Sequence, residues 1–354
     1  MGNEMLSGMI CRLKAEAMSR SLRRRVLVAI SVLGVLLTMV SLTGCGNASL
    51  QPDVKLDSTP VPDLTEAQEK RIRESIIDTL DHADKTKNAA DLNPRVTGPA
   101  YEVRSSELQI AASTGKLDPR TTIPRDLAQT VIPTTSGWPR SVFSITANTS
   151  DQQSKRLMVM RQSEARSNYQ LWGVVRLFPS VTLPKFAIPS IGSQMGEADD
   201  SGLVTTPKQA VQQYADLLTY GSQSKYDKRF ADDHFRDDLS KLSQTVQEGM
   251  ERNNGSQSQV FTPKPGAIYV MRSADGGDLV MAQIDSQWTR QAGEGRESQT
   301  ASDEEKVLFG GGKATSTMRV TYVNVVALYV PAADSGQKVT AVGAERQPVK
   351  VEAL

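Results

Sequence analysis

Ala267-Ile268-Tyr269-Val270-Met271-Arg272, then Ser273-Ala274-Asp275-Gly276-Gly277-Asp278, then Leu279-Val280-Met281-Ala282-Gln283-Ile284 is the stretch that decides the fold class. Two apolar, β-prone runs flank Asp-Gly-Gly, residues that tolerate the positive φ of a tight hairpin turn. The second run extends to Gln291. Two further strand-like runs follow, Thr317 to Val330 and a weaker Lys338 to Val351. In the first half, Asn148 to Ser154 and Glu164 to Asn168 are polar connections of hairpin length between neighbouring strand runs, the mark of an antiparallel sheet.

Upstream of Ala267, two helices precede the strands. Thr206-Pro207 reads as an N-cap followed by proline at the first helical position. Ala210, Val211, Tyr214, Leu217 and Leu218 then form one apolar face. Asp232 to Met250 reads as a second helix, with Phe235, Leu239, Leu242 and Val246 at helical spacing. The same order occurs earlier in the chain. Thr65 and Gln68 form a capping-box pair. Ile72, Ile76, Leu80 and Ala83 line one face of a helix expected to end near 84–88. Tyr101 to Ala112 reads as a short helix or strand, and Leu117 to Gly137, with three prolines, as mostly loop. Three strand runs follow: Ser141 to Ala147, Arg156 to Ser163 and Tyr169 to Phe178.

The expected fold is therefore α+β, in two tandem domains. Each has an amphipathic helix or two packed on a curved antiparallel sheet. The expected boundaries are 63–192 and 203–354, with 193–202 as the linker. In element order each half resembles the cystatin-like or nuclear-transport-factor-2-like cone fold.

The segment ahead of residue 63 places the protein. Arg20, Arg23, Arg24 and Arg25 precede an uncharged run, Val26 to Val40, of secretory-signal length. Leu42-Thr43-Gly44-Cys45 follows and resembles the lipobox of bacterial lipoproteins. That resemblance implies cleavage before Cys45 and a diacylglyceryl group, with palmitate-type chains, on its thiol. Residues 1–44 are thus expected to be a signal peptide, with Met18 as the true start. Residues 45–62, rich in proline and small polar residues, are expected to be a lipid-anchored tether. The whole chain resembles actinobacterial cell-envelope lipoproteins of unknown function, which implies an extracytoplasmic location on the membrane.

Composition narrows the chemistry. The net charge of the whole chain is +1, and six positive and two negative side chains lie ahead of Cys45, so the mature part is mildly acidic. Bulk charge does not drive nucleic-acid binding here. Of the two cysteines, Cys11 leaves with the signal and Cys45 carries lipid, so no thiol remains for catalysis or a disulfide. Asp232-Asp233-His234-Phe235-Arg236-Asp237-Asp238 is the densest polar cluster, and it reads as a solvated helix start without metal. Gly310-Gly311-Gly312-Lys313 lacks the leading glycine and following Ser/Thr of a phosphate loop. Asn254-Gly255-Ser256 reads as a loop. His82 and His234 read as surface histidines, and Trp172 as core or the wall of a pocket. No Gly-x-Ser-x-Gly elbow is present. The resulting expectation is a binding or scaffolding module of the envelope with no catalytic residues and no cofactor. Its partner would be an envelope protein or a cell-wall polymer. The alternative is an envelope hydrolase or transferase with its site in a cone-shaped pocket.

Overall fold

In a computed structural model, which describes residues 60–135, 137–149 and 154–354, the chain runs two helices, four strands, two helices, two strands, a short helix and two strands. The Thr65 hydroxyl accepts from the Gln68 N–H and the Gln68 side-chain oxygen accepts from the Thr65 N–H, so the capping box starts α1, Glu66–Thr86. Helix α2, Gly98–Thr114, has Pro99 in its first turn and ends at Gly115 in the left-handed region. Its sequence was ambiguous because α2 is buried on several sides, against β4, β7 and β8, and shows no single apolar stripe. Strands β1 (Leu127–Val131), β2 (Arg140–Thr146), β3 (Arg156–Gln162) and β4 (Gln170–Leu177) follow as a meander. Thr206 caps α3, Pro207–Tyr220, and Asp233 caps α4, His234–Glu251. Next come β5 (Ser256–Arg272), β6 (Asp278–Gln291), α5 (Asp303–Phe309), β7 (Thr317–Val330) and β8 (Thr340–Ala353).

The class is α+β with a curved antiparallel sheet, as expected. The domain division needs correction. The strands lie in one eight-stranded sheet, ordered β1-β2-β3-β4-β8-β7-β6-β5, and the halves join where Arg176 and Leu177 of β4 pair with Ala344 and Gly343 of β8. Arg176 also binds Glu345 through two hydrogen bonds of 2.8 and 2.9 Å. Residues 193–202, expected to be a loose linker, are tied down. The Ser193 N–H donates to Ile132, the Gly196 N–H to Val270, and Arg272 grips Asp200 with two bonds.

Curling of the sheet explains the continuous apolar runs of β6 and β7. One face of β5–β8 packs under α3, through Tyr214, Leu217, Val280, Ile284 and Val326. The opposite face meets β2–β4 in a shared core that includes Phe143, Val159, Trp172, Met281 and Val325. Trp172 from one half stacks edge-on against Tyr269 from the other, centroids 4.7 Å apart. A strand covered on both faces has no polar side to show in its sequence. Helices α1 and α2 cover the outer face of β2–β4 through Ile76, Leu80, Leu108, Val142 and Met160.

Three elements were not expected from sequence. Strand β1 lies inside the proline-rich stretch read as loop. Strand β5 begins eleven residues before Ala267, in a polar run. Helix α5, only seven residues long, lies between β6 and β7.

Candidate functional site: a polar groove between α4 and the edge strand

Helix α3 stops at Gly221, whose positive φ turns the chain away, and α4 returns across the same face of the sheet. Helix α4 lies shallowly on the sheet: Leu239 is its one buried residue. The Leu242 expected on its apolar face is exposed. Between α4, the end of α3 and the outer half of β5 lies a groove of about 630 Å³. Ser240, Ser243, Gln244 and Gln247 line it from α4, and Gln257 and Gln259 from β5. Gln257 is fixed from both ends: its amide donates to the Ser243 carbonyl at 2.6 Å, and its oxygen accepts from the Trp288 indole at 2.7 Å. The amide nitrogen of Gln259 is buried with no hydrogen-bond partner. Exposed Tyr220 stands at the rim. Neutral amides and hydroxyls that both donate and accept, with an aromatic beside them, can match the hydroxyls and ring faces of a sugar polymer.

The acidic cluster expected at 232–238 forms one end of this groove. Its members have separate tasks. Asp233 caps α4 by accepting from the Arg236 N–H, and it also accepts from the Arg236 guanidinium at 2.7 Å and the Tyr214 hydroxyl at 3.1 Å. Arg236 lies 3.5 Å from both Asp227 and Asp232. Burial, followed by the charge and hydrogen bond of Asp233, pushes the Tyr214 phenol well above its ordinary value. Asp233 and Asp237 therefore do not converge as a ligand pair. Among the described residues, no group of three or more His, Cys, Asp or Glu is arranged to hold a metal ion.

Two other sites bring carboxylates together. Arg104 binds Glu107 at 2.7 Å and Asp84 at 2.5 Å beside a cavity of about 50 Å³, which Glu345 and Arg156 also line. Burial, opposed in part by Arg104, pushes Glu107 up to about 7. With room for only about one or two waters, this is an ion-pair core rather than a substrate pocket. At the β5–β6 hairpin, Asp278 hydrogen-bonds Asp200. Burial and the Asp200 charge push Asp278 up to about 7. Burial works against ionisation at Asp200 too, but Arg272 and the Glu197 N–H hold it below the usual range. Arg272 occupies Asp200 on two sides.

Other residues singled out by sequence are placed as follows. His82 is exposed, 3.6 Å from Asp91, and His234 is exposed with its ring edge against Phe178. Trp172 and Trp288 are 4% and 2% exposed and belong to cores. Gly310 ends α5, and Asn254-Gly255 connects α4 to β5. Cys45, the expected signal peptide and nearly all of the expected tether lie outside the described residues. Among those described, no helix is long and apolar enough to cross a membrane. The groove itself was not foreseen. Its signal was compositional: Ser243-Gln244-Thr245-Val246-Gln247 and Ser256-Gln257-Ser258-Gln259 are two Ser/Gln runs that the fold sets facing each other.

The family model of DUF8094, a domain of unknown function, matches residues 60–352, and the chain belongs to that family. No curated protein and no solved structure matches it.

Proposed function

We propose that this DUF8094 member is a binding module of the cell envelope. It would be held outside the cytoplasmic membrane by lipid on Cys45, with a strand of hydroxyl-rich cell-wall polymer in its α4–β5 groove. The groove supports this reading through one observation above the others: Ser240, Ser243, Gln244, Gln247, Gln257 and Gln259 present amides and hydroxyls along a single open channel, beside the apolar side chains of Leu217, Leu218, Leu239 and Phe261. The sequence resemblance to envelope lipoproteins supports the proposed location.

The binding test is calorimetric titration of soluble glycan strands, released from cell wall, into the purified protein. Saturable binding is expected. Replacing both Ser240→Ala and Gln244→Ala should weaken it about tenfold, the loss of one or two neutral hydrogen bonds. Binding that these changes leave untouched would exclude the groove.

The enzyme reading draws on the raised carboxyls at Glu107 and Asp278. A cavity for about one or two waters at the first, and the Arg272 clamp on Asp200 at the second, leave neither room for a scissile bond. Turnover of an envelope glycan or ester by the purified protein, abolished by Glu107→Gln or Asp278→Asn without unfolding, would reverse this preference.

A further inference from the structure

At residue 60 the described fold begins, and three segments meet just beyond it. The Asp63 N–H donates to Pro133 at 2.8 Å, and the Asp63 carboxylate accepts from the Thr135 N–H at 3.2 Å. Ser193 pairs with Pro133, donating to Ile132 and accepting from Thr134. Gly192, at φ +78°, lies so close to Thr134 and Pro62 that a Cβ there would come within 2.6 Å of the Thr134 methyl and 3.3 Å of the Pro62 ring. The segments 61–63, 132–135 and 188–193 are therefore one knot.

Large apolar side chains project from this knot into solvent. Val61 is 74% exposed, and Ile188 and Ile191 are each 61% exposed. Three residues past Thr135, Trp138 is 44% exposed. The Arg140 guanidinium sits 4.4 Å from its ring centroid, and its indole N–H donates to Gln162. Beside Trp138 is a hollow lined by Arg71, Arg95 and Arg140, with no carboxylate in its lining. Exposed aliphatics, a tryptophan with one polar edge and a cluster of arginines form the side-chain set that settles at an anionic bilayer surface.

We propose that this end of the fold docks on the anionic surface of the membrane. The inference rests on the reading that Cys45 carries the anchor, because that reading makes the encounter nearly intramolecular. Only fourteen residues, 46–59, separate Cys45 from the knot. Fourteen residues reach at most roughly 50 Å even fully extended, so the anchored protein meets the bilayer with this end at high effective concentration.

The test uses the full-length protein, expressed with its signal sequence, purified from membranes and reconstituted into phosphatidylglycerol vesicles. Their acyl chains carry bromine near the headgroup end. Trp172 and Trp288 are buried, so quenching of emission reports Trp138. The wild type is expected to lose emission relative to unbrominated vesicles. Trp138→Phe should remove that loss, and the double variant Ile188→Ser, Ile191→Ser should reduce it, as should high salt. Wild-type emission that bromine does not touch, or a loss that persists in Trp138→Phe, would overturn docking. Intact mass of the same preparation reads the anchor separately. Acylated Cys45 with unquenched Trp138 ends docking and keeps the anchor. Unmodified Cys45 with quenched Trp138 ends the anchor and keeps docking.

Discussion

Asp278 shows how one buried side chain writes a pH dependence into the fold. Its carboxyl is 2% exposed and bonded to Asp200, and burial together with that neighbour raises it from an ordinary 3.8 to about 7. The folded chain therefore holds a proton that the unfolded chain has already released between about pH 4 and 7. Where the native state binds more protons, stability falls as pH rises. The contribution is fully present below about pH 4 and lost through about 7, at a slope of at most about 1.4 kcal/mol per pH unit. Glu107, raised from 4.5 to about 7 mainly by burial, acts in the same direction. Thermal unfolding midpoints should accordingly drop from pH 5 to pH 8. Asp278→Asn keeps a donor to Asp200 and removes one titration, so its profile should be flatter and should overtake the wild type at the alkaline end. Parallel profiles would show that Asp278 does not carry the proton. None of this was legible in the sequence, because Asp200 and Asp278 are 78 positions apart and only the hairpin brings them together.

At the scale of elements, the joint between β4 and β8 turns on a missing side chain. A Cβ on Gly343 would lie 2.6 Å from the Arg176 carbonyl oxygen, so the two strands could not approach as they do. Gly343→Ala should destabilise the protein by about 1–3 kcal/mol, the range for forced overpacking, read as a lower midpoint in urea. Gly249→Ala, in α4 with open space around the position, should instead stabilise by up to about 1 kcal/mol through helix propensity. A Gly343→Ala protein as stable as wild type would mean the joint is not tight. Helix starts and core strands were readable from sequence because their signals are local: the Thr65–Gln68 capping box, Thr206-Pro207, the Asp275-Gly276-Gly277 turn. Strand β1 escaped because five residues between prolines carry too little alternation. The first half of β5 escaped because its Ser/Gln residues face the groove rather than a core. The β4–β8 joint escaped because a pairing of two residues, set by a glycine's lack of a side chain, leaves no periodic trace.

For the whole molecule, the question raised by the repeated helix-then-strand order is whether the halves are energetically separate. The sequence offers a proline- and glycine-rich stretch before Leu203 as a break, and an independent linker there would be exposed and unbonded. The structure places opposing forces at that point. Phe143, Val159 and Trp172 from the first half share a core with Met271, Met281 and Val325 from the second. Ser106 of α2 donates to the Pro348 carbonyl of β8 at 2.5 Å, and Lys264 of β5 binds Glu102 of α2 at 2.6 Å. Separating the halves would expose that shared core to water at about 25 cal/mol for each Å² of apolar surface. Calorimetry of the purified full chain at pH 6 should therefore show one unfolding transition, with calorimetric and van't Hoff enthalpies in a ratio of about 1. Limited proteolysis should spare 193–202, whose backbone is bonded to β5 and to residues 132–134. The two halves expressed alone, 63–192 and 203–354, should aggregate, and should recover a native-like spectrum only when refolded together. Two resolved transitions, or a first half that folds and stays soluble unaided, would restore the picture of independent domains. That result would place the α4–β5 groove, which lies wholly in the second half, on a module that folds without the first.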